Sequence, residues 1–317
     1  MSVPDISVVV PAHGRPMRLR WLLNALEEQS LARERFEVLV AAEQENLLAL
    51  VGEHPLGARA VVAPGSGPAA RRNLGWRAAR APVVAFTDDD CRPPADWLEG
   101  LLAAAAAHPG AVVQGATRAD PDEAGLLAAA PHARTQVVEP PSAYGQTCNI
   151  AYPRDLLERA GGFDESFPLA AGEDTDLLVR AVDLGAQLVP APEAITYHCV
   201  DAGSLRGALR TAWRWRDLPL IVARHPQLRR HLVGRAFWKP THPRLILAVA
   251  APALAPRHPR WAAVLALPWL LAGARRYGTS PRGVARAVLE LPRHTLVDAA
   301  EVAAMARGSV RHRTLML

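Results

Sequence analysis

Three consecutive carboxylates, Asp88, Asp89 and Asp90, follow the apolar run Val83-Val84-Ala85-Phe86 and precede a turn containing Pro93 and Pro94. A short apolar run bounded by turn residues reads as a buried strand, which sets all three acids at a strand end. Like charges packed this closely repel, and burial raises the cost, so a fold tolerates them only beside a cation. A hard divalent ion held by oxygen, Mg²⁺ or Mn²⁺, suits that donor chemistry. A solvated acidic turn is the plainer reading of the tripeptide by itself. Upstream, Gly65-Ser66-Gly67-Pro68 leads into a helix expected over 69–80, with Arg71, Arg72 and Asn73 near its start. Proline suits a first helical turn, and a helix N-terminus beside arginines favours an anion such as a diphosphate. The glycines do not form GxGxxG, so a dinucleotide fold is not supported.

These residues need a scaffold. Asp5 to Pro11 is a β-branched run that ends in Pro11-Ala12-His13-Gly14-Arg15, and Trp21, Leu22, Ala25 and Leu26 then recur at helical spacing. Further strands are expected at Phe36 to Ala42, ending at Glu43, at Arg59 to Ala63, at Val83 to Phe86, and at Ala194 to His198. Strands alternating with helices predict βαβ units, hence an α/β fold with a mostly parallel sheet covered by helices on both faces. In such sheets ligands bind beyond the C-terminal strand ends, where Pro11, Glu43, Pro64 and Asp88 fall.

The net charge of +5 conceals a division. Residues 1–201 carry 16 arginines against 27 acidic residues, a net −11, whereas residues 202–317 carry 20 basic residues against 4 acidic ones, a net +16. Two domains are expected, 1–201 and 202–317. Cys91, Cys148 and Cys199 show neither CxxC spacing nor a paired framework; they read as small packing residues in a reducing compartment. No signal-peptide pattern opens the chain, so a cytoplasmic start is expected.

With Pro11, Glu43, GPAARRN (67–73) and VVAFTDDDCRP (83–93) in this order, and with GGFDE (161–165) and GEDTDL (172–177) followed by Arg180 downstream, the chain resembles the family-2 glycosyltransferases of GT-A (Rossmann-like) fold over roughly residues 5–200. The resemblance implies a nucleotide-diphosphate sugar donor. It implies that Asp88 and Asp90 hold the metal on the diphosphate, with Asp89 assisting either neighbour, and that Arg72 of the Arg72-Asn73 pair contacts the diphosphate. Glu43 stands where the family usually has an aspartate at the base or ribose, and Ala42 replaces the acid often found before it, so the nucleotide stays open. An inverting transfer needs a carboxylate to take the proton of the attacking hydroxyl. The match to the family's Glu-Asp pair implies Asp174 as that base and Glu173 as an acceptor-binding residue. His198 is implied either in the metal shell or on the diphosphate, and Gln146, Thr147 and Asn149 beneath the donor sugar. Asp176 and Arg180, four apart, read as a helix-surface ion pair.

Two rivals remain at this stage. A sugar nucleotidyltransferase is disfavoured because the loop after the first strand, Pro11 to Arg15, has a single glycine. A non-catalytic sugar- or partner-binding module is disfavoured by the intact acids at Asp88, Asp90 and Asp174.

The last third is Arg-rich from Leu205 to Leu232, with Trp213 and Trp215 interleaved, and then carries apolar runs at Leu245 to Leu254 and Trp261 to Ala274. Both runs fall short of the roughly 20 apolar residues of a spanning helix. Basic flanks and tryptophans predict a helical, membrane-associated region, re-entrant or interfacial on an anionic leaflet at the cytoplasmic face of the cell membrane, serving a lipid-linked or envelope-glycan acceptor. A soluble helical subdomain is the alternative. Nucleic acid is excluded for want of any recognised module.

Overall fold

The computed structural model describes residues 3–65, 67–130, 133–167 and 169–317, and over 273–276 the backbone alone. Ser66 of the glycine-rich turn lies outside the described residues, as does the side chain of Ala274 at the end of the second apolar run. The chain forms two compact units, residues 1–202 and 203–317, divided beside the point where the charge changes sign.

The first unit is built on a sheet of order β3-β2-β1-β4-β7-β6-β8-β5. Its strands are β1 (Ile6–Pro11), β2 (Phe36–Ala42), β3 (Arg59–Val62), β4 (Val83–Phe86), β5 (Cys91–Arg92), β6 (Val112–Ala119), β7 (Ile150–Pro153) and β8 (Leu188–His198). From β3 through β4 the pairing is parallel throughout. The sheet is mixed beyond that point, because β7 runs antiparallel between β4 and β6, β8 pairs parallel with β6, and β5 closes the edge antiparallel to β8. The expectation of a mostly parallel sheet holds for four of the seven pairings, and β7 and β5 are the strands that run against the rest. The reversal has a functional consequence: β7 begins at the edge where β1, β2 and β4 end, so the chain that leads into it, residues 144–149, enters at the same edge.

Helices α1 (Pro16–Glu27), α2 (Glu45–Glu53) and α4 (Trp97–Ala107) cover one face; α3 (Pro68–Ala78), α6 (Arg154–Ala160) and α7 (Glu173–Asp183) cover the other, and the short α5 (Ala124–Ala129) follows β6. Two apolar layers result. Leu22, Leu26, Leu47, Trp97 and Leu101 pack on Val8, Val10, Val38 and Val40 from one side. Trp76, Leu157, Leu177 and Leu178 pack on Val9, Leu39, Val84 and Phe86 from the other. Strands buried on both faces read as continuous β-branched runs, which is why ISVVV was legible. Helix α3 lies so close to β1 that a Cβ on Gly75 would fall 2.4 Å from Val9 Cγ1.

The second unit is helical: α8 (Leu205–Arg214), α9 (Pro219–Arg224), α10 (Thr241–Leu254), α11 (Pro259–Tyr277) and the long α12 (Pro281–Arg311). The apolar runs form α10 and α11, which pack on one another and on α12. Inside this unit the buried Glu301 accepts Lys239 Nζ at 2.6 and 2.7 Å and meets His242 Nε2 at 3.1 Å. Among the described residues no helix is long and apolar enough to cross a membrane.

Candidate active site

The acids line up where the parallel strands end. Asp88 follows β4, Glu43 follows β2, the loop His13-Gly14-Arg15 follows β1, and His198 ends β8. Within the acidic run the three carboxylates have different partners. Asp88 Oδ1 accepts Arg72 Nη2 at 2.9 Å. Asp89, fully buried, accepts the His13 amide on Oδ2 at 2.8 Å, while its Oδ1, without a hydrogen bond, forms an ion pair with Arg15 Nη2 at 2.6 Å. Asp90 Oδ2 accepts the other Arg15 nitrogen and the Cys199 thiol, the latter at 3.3 Å, while Oδ1 is buried without a hydrogen bond and lies 3.6 Å from His198 Nε2. Burial, with Asp90 and Asp88 adding repulsion, pushes the Asp89 carboxyl up to about 7 in spite of Arg15 and the His13 amide.

Across the site α7 begins with Glu173 and Asp174. One buried guanidinium joins them to the acidic run: Arg72 Nη1 reaches Glu173 Oε1 at 2.9 Å and Asp174 Oδ1 at 3.5 Å while Nη2 holds Asp88. Asp174 Oδ2 also accepts the Thr147 amide at 3.1 Å, a contact made possible by β7 starting at this edge. The two neighbours differ in exposure, the Asp174 side chain being 22 % exposed and that of Glu173 2 %. Burial raises both carboxyls above their ordinary range. Asp174 adds to the rise of Glu173 and Asp88 to that of Asp174, with Arg72 opposing in each case. Burial alone would lower the Arg72 guanidinium, but Asp174, Asp88 and Glu173 together raise it, so it is permanently charged.

Several expected residues have other work. Asn73 donates to the Phe163 carbonyl at 2.8 Å and Glu165 Oε1 at 2.7 Å, and accepts from the Phe163 amide and Trp76 Nε1, both at 2.9 Å. Asn149 spends both N–H groups on the carbonyls of Ala116 and Ala194 and accepts from Trp97 Nε1. Neither amide has a hydrogen left for a donor sugar, and both act as locks between elements. Arg72, expected on a diphosphate, is held among three carboxylates. Glu173, expected to bind acceptor, turns inward to Arg72. Pro11 ends β1 half-buried, and Glu43 stands open with Arg71 Nη2 3.7 Å away. Gln146 bonds Gln114 at 3.3 Å, and Asp176 pairs with Arg180 at 2.7 Å as the spacing implied, but not on the helix surface: Asp176 is buried, and Arg180 also donates to the carbonyls of Ala160 and Gly162. Cys91 and Cys148 pack together in the interior, whereas Cys199 belongs to the site through Asp90. Arg15 and Cys199 are the site residues that sequence reasoning missed. The signal for Arg15 was its place one loop beyond the end of a strand adjacent to β4.

Residues 7–161 match the family model "Glycosyl transferase family 2". The first unit belongs to glycosyltransferase family 2. Among its relatives are the pre-mycofactocin glycosyltransferase of Mycobacterium tuberculosis, 29% identical over 233 residues that span 70% of this chain and 48% of the relative, and the glycosyltransferase AglE of Haloferax volcanii, 24% identical over 217 residues that span 62% and 67%. The chain thus spans about half the length of the first of these. Among solved structures, the mannosyltransferase PcManGT of Pyrobaculum calidifontis, in complex with GDP-Man and Mn²⁺, superimposes with a TM-score of 0.57 at 21% identity, covering 97% of this chain and 87% of that one. TarS of S. aureus, in complex with UDP-GlcNAc, gives 0.52 at 18%, covering 98% and 92%. The family-2 unit therefore has the GT-A fold, with the mixed sheet described above.

Within this fold the residues present suit a divalent ion. Asp90 Oδ1 is a buried oxygen lacking a hydrogen bond, and the imidazole beside it is oriented: His198 Nδ1 lies 3.0 Å from the Cys199 carbonyl, which leaves Nε2 toward Asp90. Asp90, His198 and Cys199 bring their ligand atoms within 4.8 Å of one another, and the carboxylate and imidazole of that group match Mn²⁺ or Mg²⁺ preferences. Cys199, its thiol pushed up to about 12 by burial and by Asp90, is a soft donor and a poorer match to a hard cation than its two neighbours.

Proposed function

We propose that the protein transfers a glycosyl group, with inversion, from a nucleotide-diphosphate sugar to a hydroxyl of a lipid-linked or envelope-glycan acceptor. The position of Arg72 carries this reading. A single buried side chain spans from the strand-end acid Asp88 to the helix-start acids Glu173 and Asp174, so donor-side and acceptor-side carboxylates are set at a fixed separation. Asp174 is the base, being the more exposed of the pair and held in place by the Thr147 amide. It takes the hydroxyl proton as the acceptor oxygen bonds the anomeric carbon and the bond to the diphosphate breaks on the opposite face. A divalent ion held by Asp88, Asp90 and His198 would supply positive charge to the departing diphosphate. Glu173 positions Arg72 and thereby both ends of the site. Arg71, nearly buried with Nε unbonded and its fork near Glu43, fits a nucleotide role better than Arg72 does.

Asp174→Asn should leave donor affinity intact and lower turnover by roughly 10²-fold or more, the loss expected for a general base. Normal turnover in that variant together with a dead Glu173→Gln would move the base to Glu173. A screen of nucleotide sugars for protein-dependent hydrolysis names the donor.

The second unit fits work at an anionic membrane surface on the cytoplasmic side. It combines the net +16 charge with apolar side chains left open on its helices: Val249 of α10 is 70% exposed, Trp261 and Val264 of α11 65% and 56%, and Leu289 of α12 80%. Arg257, Arg260, Arg282 and Arg286 flank them in sequence. Basic residues near a charged leaflet contribute about 1 kcal/mol each and are screened by salt, whereas inserted apolar side chains are not. Full-length protein should therefore bind anionic vesicles at low salt and keep part of that binding at high salt. Indifference to such vesicles at low salt would sink the membrane reading.

A further inference from the structure

The guanidinium of Arg15 bridges Asp89 and Asp90 from the loop after β1, and it differs from Arg72 in being free to leave. Arg72 is 5% exposed, rises from α3 and is tied to three carboxylates. Arg15 is 48% exposed. Its loop is pinned through the backbone, by the His13 amide to Asp89 at 2.8 Å and by the Gly14 amide to Gln44 Oε1 at 2.6 Å, while Gly14 has φ +71 and open space around it. The backbone is anchored independently of the guanidinium, whose own ties are the ion pairs to Asp89 and Asp90, so the fork can rotate off Asp90 without disturbing the strand end.

We infer that Arg15 is the exchangeable counter-cation of this site, neutralising Asp90 in the metal-free protein and giving it up when a divalent ion binds. The inference rests on the reading that Asp90 and His198 hold the metal. It follows from one observation and one electrostatic principle. Asp90 has one oxygen under Arg15 and Cys199 and the other buried, unbonded and facing His198 Nε2, so the same carboxylate offers itself to a cation on both sides. A guanidinium and a divalent ion sharing one buried carboxylate repel each other, and the one on the flexible stem yields. Asp89 keeps its bond from the His13 amide throughout. The exchange means that the acidic run is never left without positive charge, which accounts for three adjacent carboxylates surviving in a folded protein before metal arrives.

The test is Mn²⁺ titration of the full-length protein without donor, read as free Mn²⁺ by electron paramagnetic resonance, with thermal melts in EDTA beside it. Arg15→Gln removes the competitor and should tighten Mn²⁺ binding about tenfold, equivalent to about 1.4 kcal/mol. The same variant should melt below wild type in EDTA, and excess Mn²⁺ should close most of the gap. Arg15→Lys, which keeps the charge but loses the fork, should tighten binding to a smaller degree and serves if the glutamine variant folds poorly. Asp90→Asn separates this inference from the reading beneath it. If Asp90→Asn abolishes Mn²⁺ binding while both Arg15 variants bind as wild type does or more weakly, the exchange is wrong and the metal site stands. If wild type binds no Mn²⁺, or Asp90→Asn binds it unchanged, both fall.

Discussion

Arg72→Met isolates the electrostatics of the site. Methionine keeps an unbranched stem near the Phe163 ring, over which the guanidinium carbon now sits at 5.6 Å, and removes only the charge and the hydrogen-bonding fork. Asp88, Glu173 and Asp174 are then left facing one another without a cation. Removing one partner of a buried ion pair costs about 3–5 kcal/mol, because the remaining charge is uncompensated. For a unit of this size each kcal/mol lowers the melting temperature by about 2–4 °C, which predicts a fall of roughly 6–20 °C near neutral pH. The pH dependence gives the sharper test. Glu173 and Asp174 already have raised carboxyl pKa values in the wild type, and without Arg72 they rise further. A carboxyl whose folded pKa lies above its unfolded one contributes stability that is complete below the unfolded value and is lost as pH rises through the folded value. The gap between variant and wild type should therefore narrow from about pH 8 to about pH 5.5, as the folded variant takes up protons. Melts by differential scanning calorimetry across that range decide the matter. A variant that melts with wild type at the alkaline end, or a gap that widens on acidification, would refute the role given to Arg72.

The acid limb of activity follows from the same shifts: Asp174 must be ionised to accept a proton, its carboxyl is raised above the ordinary value of 3.8, and so kcat/KM should fall on acidification before an ordinary aspartate would protonate, with Asp174→Asn losing that limb. Two adjacent glycines give a packing test by melting temperature. Gly161 has φ +77 and open space, so Gly161→Ala should cost only the left-handed backbone penalty of about 1 kcal/mol, whereas at Gly162, φ +72, a Cβ would lie 2.5 Å from Asn73 Oδ1 and 2.8 Å from Trp76 Nε1, and Gly162→Ala should cost clearly more. Equal losses at the two positions would mean that the Asn73 lock yields freely.

How far the sequence could be read depends on which kind of neighbour each residue needed. The runs ISVVV and VVAF announced buried strands by composition, and Gly67-Pro68 marked a helix start that the structure places at α3. Side-chain direction was not legible. Arg72 and Asn73 are consecutive on a helix, where neighbours in sequence point about 100° apart, so their adjacency in the chain did not give them the same partners. Arg72 faces the end of β4 and Asn73 the 163–165 loop. The antiparallel β7 was missed for a related reason: IAYP is too short to declare its direction, which is set by pairing with β4 and β6. Arg15 could be assigned only after β1 and β4 were known to be parallel neighbours, because that register alone brings residue 15 beside residue 90.

The same geometry separates two adjacent acids into different duties. Glu173 and Asp174 open one helix, where a carboxylate is favoured by the N-terminal dipole whichever way it points. Rotation about the helix then sends Glu173 inward, against Arg72 and out of solvent, and leaves Asp174 between Arg72 and the Thr147 amide with one edge open. A group that cannot meet solvent cannot meet a hydroxyl arriving from it, so Glu173 is confined to holding Arg72 while Asp174 can accept a proton. Because Arg72 also grips Asp88, any displacement of Glu173 is transmitted to the strand end that presents the acidic run. Glu173→Gln would thus be expected to disturb both halves of the site, whereas Asp174→Asn removes the proton acceptor and only the longer, 3.5 Å contact to Arg72; the split between donor affinity and turnover in the two variants is how positioning is told from catalysis.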